Sequence, residues 1–141
     1  MEAMLKHNEV ERLIPQKAPF VMVDALFSFE ENKLVAGFTV PYGNIFVTEG
    51  CFTEPGIIEH MAQSVALYTG YQYYLKNEPA PTGYIGSIKD VKVLTLPAVG
   101  DELVTKISVL QEFMGITLVD IVTLVNGNTI ATSQMKTVLA K

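Results

Sequence analysis

The sequence is poor in the residues that build disulfides and metal centres. Its 141 residues contain one cysteine, Cys51, and two histidines, His7 and His60. One cysteine excludes an internal disulfide and a thiolate metal cluster. Two histidines, without an HxxxH or CxxC spacing, give no support to zinc. We therefore predict no bound metal.

Basic residues and long apolar runs are also scarce. Lys and Arg number 10 against 15 Asp and Glu, whereas nucleic acid needs a basic surface, so we exclude it as a partner. No apolar run approaches the about 20 residues of a membrane span. The start, Met1–Asn8, lacks the basic and apolar regions of a signal peptide, which predicts a cytoplasmic protein. No glycine-rich phosphate loop is present, so we expect no nucleotide cofactor.

The remaining pattern describes one α+β domain over residues 1–141, with 49% apolar residues for its core. A short helix is predicted from Asn8, its N-cap, to Ile14, and a long helix from the cap Thr53 to about Leu75. Because the long helix is apolar, we expect an antiparallel sheet of about six strands to curl round it. The predicted strands are Phe20–Phe29, Lys33–Val40, Gly83–Leu96, Glu102–Glu112, Ile116–Val125 and Thr129–Leu139.

The long helix carries the most informative pair of residues. Glu59 and Gln63 lie one helical turn apart and share a face. The small residues Ala62, Ala66 and Gly70 form a smooth stripe beside them, so Glu59 is expected at the edge of a buried region. A carboxylate there costs energy unless it is partnered or used. The structural alternative is a first-turn carboxylate that interacts favourably with the helix dipole.

Four segments of the chain match motifs of one known family, in the same order and over nearly the whole sequence. They are Leu13–Asp24 (LIPQKAPFVMVD), Ile58–Gln63 (IEHMAQ), Ile88–Val93 with Pro97–Leu103, and Val125–Ala131. Together they resemble the β-hydroxyacyl-[acyl carrier protein] dehydratases of the FabA/FabZ type, which have the hotdog fold.

The chain departs from this family where the catalytic histidine belongs. The family carries it in a GHFP motif, and Cys51 takes that place within Gly50–Thr53. Gln16 replaces the histidine that is usual in the opening motif. The entry into the helix is also shorter, which resembles the divergent dehydratases of aryl polyene-type pathways. Cys51 is a nucleophile in principle, but a lone cysteine with apolar neighbours is more typical of packing.

The resemblance implies a dehydratase that acts on 3-hydroxyacyl thioesters of acyl carrier protein or coenzyme A. Such a reaction needs a base, an acid and donors to the thioester oxygen. Glu59 matches the family's acid, and Gln63 orients it or the substrate. Unpaired N–H groups at Gly56 and Ile57 are predicted to bind the thioester oxygen. The other predicted substrate-binding residues are Cys51, Phe52 and Phe20.

The remaining polar and aromatic residues receive less specific roles. His60 points about 100° away from Glu59 on the helix, which predicts a bystander at a subunit contact. His7 is expected on the surface. Four tyrosines at the helix end either line an acyl tunnel or fill a subunit interface: Tyr68, Tyr71, Tyr73 and Tyr74. The resemblance implies a homodimer with sheets joined edge to edge and active sites at the interface.

Two other functions stay open. The missing histidine favours a non-catalytic hotdog subunit that binds acyl chains or an active homologue. The third hypothesis is a thioesterase, in which Glu59 activates water.

Overall fold

The computed structural model describes residues 2–140, which form a curved antiparallel sheet and one long helix. The sheet contains seven strands in the order β1-β2-β3-β7-β8-β9-β6. Its strands are β1 (Leu5–Lys6), β2 (Ala25–Glu30), β3 (Lys33–Thr39), β6 (Gly83–Val93), β7 (Glu102–Phe113), β8 (Ile116–Val125) and β9 (Asn128–Leu139). Two short strands pair separately, β4 (Val47–Thr48) and β5 (Cys51–Phe52). The helices are α1 (Asn8–Glu11) and α2 (Glu54–Leu75).

The sheet faces α2 with one side of each central strand. On β8, Thr117, Val119, Ile121 and Thr123 are buried and alternate with more accessible residues, as expected for a strand with one face in the core. Two-residue turns join the last strands, and both turns place two residues at positive φ: Met114 with Gly115, and Asn126 with Gly127. Such turns fit the twist of antiparallel hairpins. The predicted α+β architecture is confirmed.

Helix α2 is the centre of the core because it is buried over most of its length. Ile57, Met61 and Leu67 are inaccessible to solvent. Pro55 lies in the first turn, where its missing N–H costs nothing. Thr53 occupies the N-cap position, but its side chain makes no cap hydrogen bond and instead donates to the Phe46 carbonyl at 2.6 Å. Between residues 2 and 140, neither helix combines the length and apolar character that crossing a bilayer requires.

The N-terminal third differs most from the prediction. The first long strand begins at Ala25 instead of Phe20, because the backbone groups of Phe20 and Met22 are bonded to side chains of α2. Helix α1 ends at Glu11 and its N-cap is His7, not Asn8. Strands β1, β4 and β5 were not predicted, since a two-residue strand has no recognisable alternation.

Candidate active site

Glu59 and Gln63 meet on α2 as their spacing predicts. The Gln63 Nε2 group donates a hydrogen bond to Glu59 Oε1 at 3.0 Å. Gln63 is fully buried, whereas Glu59 is half-buried, so its carboxyl group lies at the boundary of the core. This hydrogen bond occupies one carboxyl oxygen and limits the rotation of the group.

Gln63 also binds the backbone of the segment that precedes β2. Its Oε1 accepts from the Met22 N–H at 2.6 Å, and its Nε2 donates to the Phe20 carbonyl at 2.7 Å. With the bond to Glu59, the amide uses both of its hydrogens and its oxygen. Since a buried amide is costly when unpaired, residues 20–22 and Glu59 hold Gln63 in one orientation.

His60 is a core residue and not a subunit contact, which corrects the prediction. It is inaccessible to solvent. Its Nδ1 lies 2.6 Å from the Met22 carbonyl oxygen and its Nε2 lies 2.7 Å from Thr105 Oγ1. Burial lowers the pKa of His60 to about 4, against a smaller opposite effect of the Met22 carbonyl. Both nitrogens are engaged, so His60 is not a base for a ligand beside Glu59.

The donors predicted at the start of α2 are not free. The N–H groups of Gly56 and Ile57 both donate to the Thr53 carbonyl, at 3.0 and 3.1 Å. The prediction that they are unpaired is therefore wrong, because the cap residue's carbonyl already closes the first turn. The absence of a side chain at Gly56 is explained by packing and not by a ligand. A methyl group added there would lie 2.5 Å from the Phe52 ring and 2.8 Å from Phe46 Cβ.

The remaining predicted substrate-binding residues do not converge on one surface. Phe52 is fully buried and its ring packs against Phe38 with centroids 5.6 Å apart, so it belongs to the core. Cys51 is half-buried and forms an isolated β-bridge with Ala98. Phe20 is 53% exposed, and its carbonyl is bonded to Gln63. Of these three, Phe20 is the residue that is hydrogen-bonded to the Glu59–Gln63 pair.

A cavity of about 300 Å³ lies along α2, starting one turn beyond Glu59. The small-residue stripe of α2 forms one wall, and the other walls come from residues 12–16, β6 and β9. The α2 residues are Ala62, Val65, Ala66, Thr69 and Gly70. The stripe was visible in the sequence, but its opposite walls depend on how distant segments pack.

The tyrosines at the end of α2 do not line this cavity. Tyr68 is buried, its ring lies 5.4 Å from that of Phe29, and its hydroxyl accepts from the Asn32 N–H at 3.2 Å. Tyr71 also packs on Phe29, with centroids 4.9 Å apart. Packing against β2 explains the aromatic character of this helix end better than an acyl tunnel does.

His7 is exposed, as predicted, and its backbone N–H donates to the Asp24 carbonyl. Within residues 2–140, no three His, Cys, Asp or Glu side chains are grouped closely enough to hold a metal ion.

Comparison with known proteins defines the class. The model of the ApeP-like family, described as ApeP dehydratase, matches residues 8–140. The chain is 32% identical to the 3-hydroxyacyl-[acyl-carrier-protein] dehydratase FabZ of Clostridium botulinum, with both proteins covered fully. It is 29% identical to FabZ of Vibrio cholerae, over 92% of this chain and 88% of the relative.

Solved structures agree on the fold. The dehydratase heterocomplex ApeI:P from Xenorhabdus doucetiae contains a chain with a TM-score of 0.87 and 19% identity, covering 94% of this chain and 91% of that one. The PaaI protein of Escherichia coli matches with a TM-score of 0.65 over 80% of each chain, at 16% identity.

The fold and the sequence similarity define a hotdog-fold dehydratase of the FabA/FabZ type, as the motifs predicted. Within this class, the chain belongs to the ApeP-like dehydratase family. The predicted resemblance to a divergent branch and the predicted dehydratase-like function in acyl-chain biosynthesis are confirmed.

Proposed function

We propose that the chain is one half of a dehydratase for 3-hydroxyacyl chains attached to acyl carrier protein, with Glu59 as the acid and a base supplied by a second hotdog subunit. One observation carries this proposal: Gln63 holds a half-buried carboxyl group beside a cavity, while both nitrogens of His60 are engaged elsewhere. His7 is exposed beside Asp24, and Cys51 replaces the family's histidine. The chain therefore offers an acid without a base.

The reaction removes water across C2 and C3 of the acyl chain. The base takes the C2 proton, the electron pair of that C–H bond forms the C2=C3 double bond, and the C3–O bond breaks. Glu59 gives its proton to the departing hydroxyl, which leaves as water. Because Glu59 Oε1 accepts the Gln63 hydrogen bond, the proton is carried by Oε2. Gln63 thus directs the free oxygen towards the substrate.

The cavity beside α2 holds the hydrocarbon chain in this proposal. Its volume of about 300 Å³ is at the lower end for small-ligand sites, which are mostly apolar. From Glu59 to Gly70 the helix rises about 16 Å at 1.5 Å per residue. A chain whose C3 lies at Glu59 can therefore extend along Ala62 and Ala66.

The free edge of β6 is the surface on which we place the second subunit. In the sheet described here β6 pairs only with β9, and Tyr84, Ile85 and Ile88 are exposed along it. A long edge strand with apolar side chains is a template for strand addition. The match to a chain of the dehydratase heterocomplex ApeI:P from Xenorhabdus doucetiae supports a non-identical partner. The homodimer predicted above is the competing assembly.

The names of the FabZ relatives favour acyl carrier protein over coenzyme A as the carrier. A cytoplasmic location remains part of this proposal. The second candidate is a non-catalytic subunit, which is favoured by Cys51 in the histidine position and by the engaged N–H groups of Gly56 and Ile57.

The test follows alkene formation and thiol release from 3-hydroxyacyl and saturated acyl thioesters of acyl carrier protein, with and without a histidine-bearing hotdog subunit. We expect alkene without thiol, and its loss in Glu59→Gln. Glu78→Gln, at an exposed position, is the matched control and should remain active. Turnover retained by Glu59→Gln removes Glu59 from the mechanism. Thiol alone identifies a thioesterase, and binding of the acyl carrier without either product identifies the non-catalytic subunit.

A further inference from the structure

A continuous series of hydrogen bonds joins the sheet to Glu59. On the sheet, Thr123 Oγ1 lies 2.7 Å from Thr105 Oγ1, and Thr105 Oγ1 lies 2.7 Å from His60 Nε2. The other ring nitrogen of His60 contacts the Met22 carbonyl at 2.6 Å. The Met22 N–H is bonded to Gln63, and Gln63 is bonded to Glu59. All side chains of this series between Thr123 and Gln63 are buried.

The chemistry of the groups sets the direction of every bond. A carbonyl oxygen only accepts, so His60 Nδ1 carries the hydrogen. The ring is neutral, since burial keeps its pKa at about 4, and its Nε2 therefore accepts from the Thr105 hydroxyl. Because the Thr105 hydroxyl donates its hydrogen to His60, it accepts a hydrogen bond from the Thr123 hydroxyl. Each bond in the series donates towards Glu59.

Met22 is the point where this series reaches the active site. Its carbonyl is held by His60 and its N–H by Gln63, from side chains one turn apart on α2. If Met22 moves, Gln63 loses the partner of its oxygen, and the amide no longer has one fixed orientation towards Glu59.

We propose that Thr105 and Thr123, acting through His60, are positioning residues of the dehydration: they hold the His60 ring in the position that fixes Met22, and thereby fix Gln63 and the Glu59 carboxyl group. This inference rests on the proposed function for its effect on rate. Its structural half, the coupling of Thr105 to Gln63, is measurable without turnover.

Thr105→Val is the decisive substitution because valine has nearly the same shape and lacks the hydroxyl. It leaves the buried His60 Nε2 without a donor. The Met22 carbonyl still requires the Nδ1–H tautomer, but the ring loses the contact that holds it against the sheet. Thr105→Ser keeps a hydroxyl at this position and should therefore keep the wild-type orientation of His60 and Gln63. Thr123→Val should have a smaller effect, since Thr105 still carries its own hydrogen. Thr117→Val is the matched control, because Thr117 is a buried threonine of β8 whose hydroxyl is bonded to Glu112 instead.

Nitrogen-15 NMR of the imidazole and of the Gln63 side-chain amide tests the coupling. We expect a protonated Nδ1 and an unprotonated Nε2 in the wild type. Thr105→Val should shift the Nε2 signal, which loses its hydrogen bond, and the Gln63 amide signals, while Thr105→Ser and Thr117→Val leave both unchanged. In the alkene assay, Thr105→Val should lower kcat about tenfold with little change in KM, and Thr105→Ser should restore it.

Two results would overturn the inference. A wild-type ring protonated at Nε2 reverses the bond directions, and Gln63 signals or kcat that are unchanged in Thr105→Val show that the hydroxyls serve only the core. Absence of alkene in every wild-type assay refutes the proposed function instead, and the shift of the Gln63 amide in Thr105→Val still decides whether the sheet positions this residue.

Discussion

The stability of the protein should fall between pH 6.5 and pH 4 because His60 is buried in its neutral form. Burial lowers its pKa from 6.5 to about 4 in the folded state. As the pH drops below 6.5, the unfolded chain takes up a proton at His60 and the folded protein does not. The stabilisation is therefore complete above pH 6.5 and is lost as the pH falls towards 4.

The size of the effect follows from this pKa difference. Each pH unit in this window costs about 1.4 kcal/mol, so the total is about 3 kcal/mol. The groups packed on the ring are uncharged: the Met22 carbonyl, the Thr105 hydroxyl and the Phe38 ring. Asp24 acts in the opposite direction, because burial raises the pKa of its carboxyl group above 3.8. The contribution of Asp24 to stability is complete below pH 3.8, and it is lost as the pH rises through the pKa of Asp24 in the folded protein.

Urea unfolding at several pH values separates these contributions. His60→Gln cannot take up the proton and keeps Asp24, so the difference between wild type and variant isolates His60. We expect that difference to shrink as the pH decreases from 6.5 to 4.5. Parallel pH profiles for the two proteins would show that His60 is not held neutral, and the hydrogen-bond directions inferred above would lose their basis.

Two further substitutions test the packing beside the cavity. Among residues 2–140, Gln16 Oε1 is the one buried side-chain oxygen or nitrogen without a hydrogen-bond partner. Gln16→Met should therefore raise the free energy of unfolding by about 1 kcal/mol. A free energy of unfolding below that of the wild type, measured by urea titration, would contradict this. Gly70→Ala should destabilise the protein, because the added methyl would overlap the Leu13 carbonyl oxygen and overpacking costs about 1–3 kcal/mol. This cost exceeds the helix propensity that alanine gains over glycine, which is at most about 1 kcal/mol. Gly83→Ala is the control, since its methyl would lie 3.6 Å from the nearest atom, on Leu139. A melting temperature of Gly70→Ala above that of the wild type would refute the close approach of α2 to residues 12–16.

Local spacing was sufficient to predict the main elements and the acidic pair. A separation of four residues brings Glu59 and Gln63 together on any helix, and turn residues such as Asn126 and Gly127 mark hairpins without reference to the rest of the chain. The long helix and five of the predicted strands depend on such local signals, and they lie close to their predicted positions.

Contacts across the core could not be predicted in the same way. The partners of His60 lie 38 and 45 residues away in sequence, and which residue faces its ring depends on the register of β7 and on the path of residues 20–22. The error at Gly56 and Ile57 has a local cause, because the Thr53 carbonyl accepts hydrogen bonds from both N–H groups. The cavity has walls from four separate segments, of which only the α2 stripe has a sequence signal.

The most direct test of the proposed half-site is a titration of this chain with a hotdog subunit that carries the histidine, at constant 3-hydroxyacyl carrier substrate. We expect alkene formation to rise to a maximum at equal amounts of the two chains. We also expect activity to disappear when either Glu59 or the partner's histidine is replaced. Equal activity of this chain alone, or a fully active complex containing Glu59→Gln, would contradict the assignment of the acid to Glu59 and the base to the second subunit.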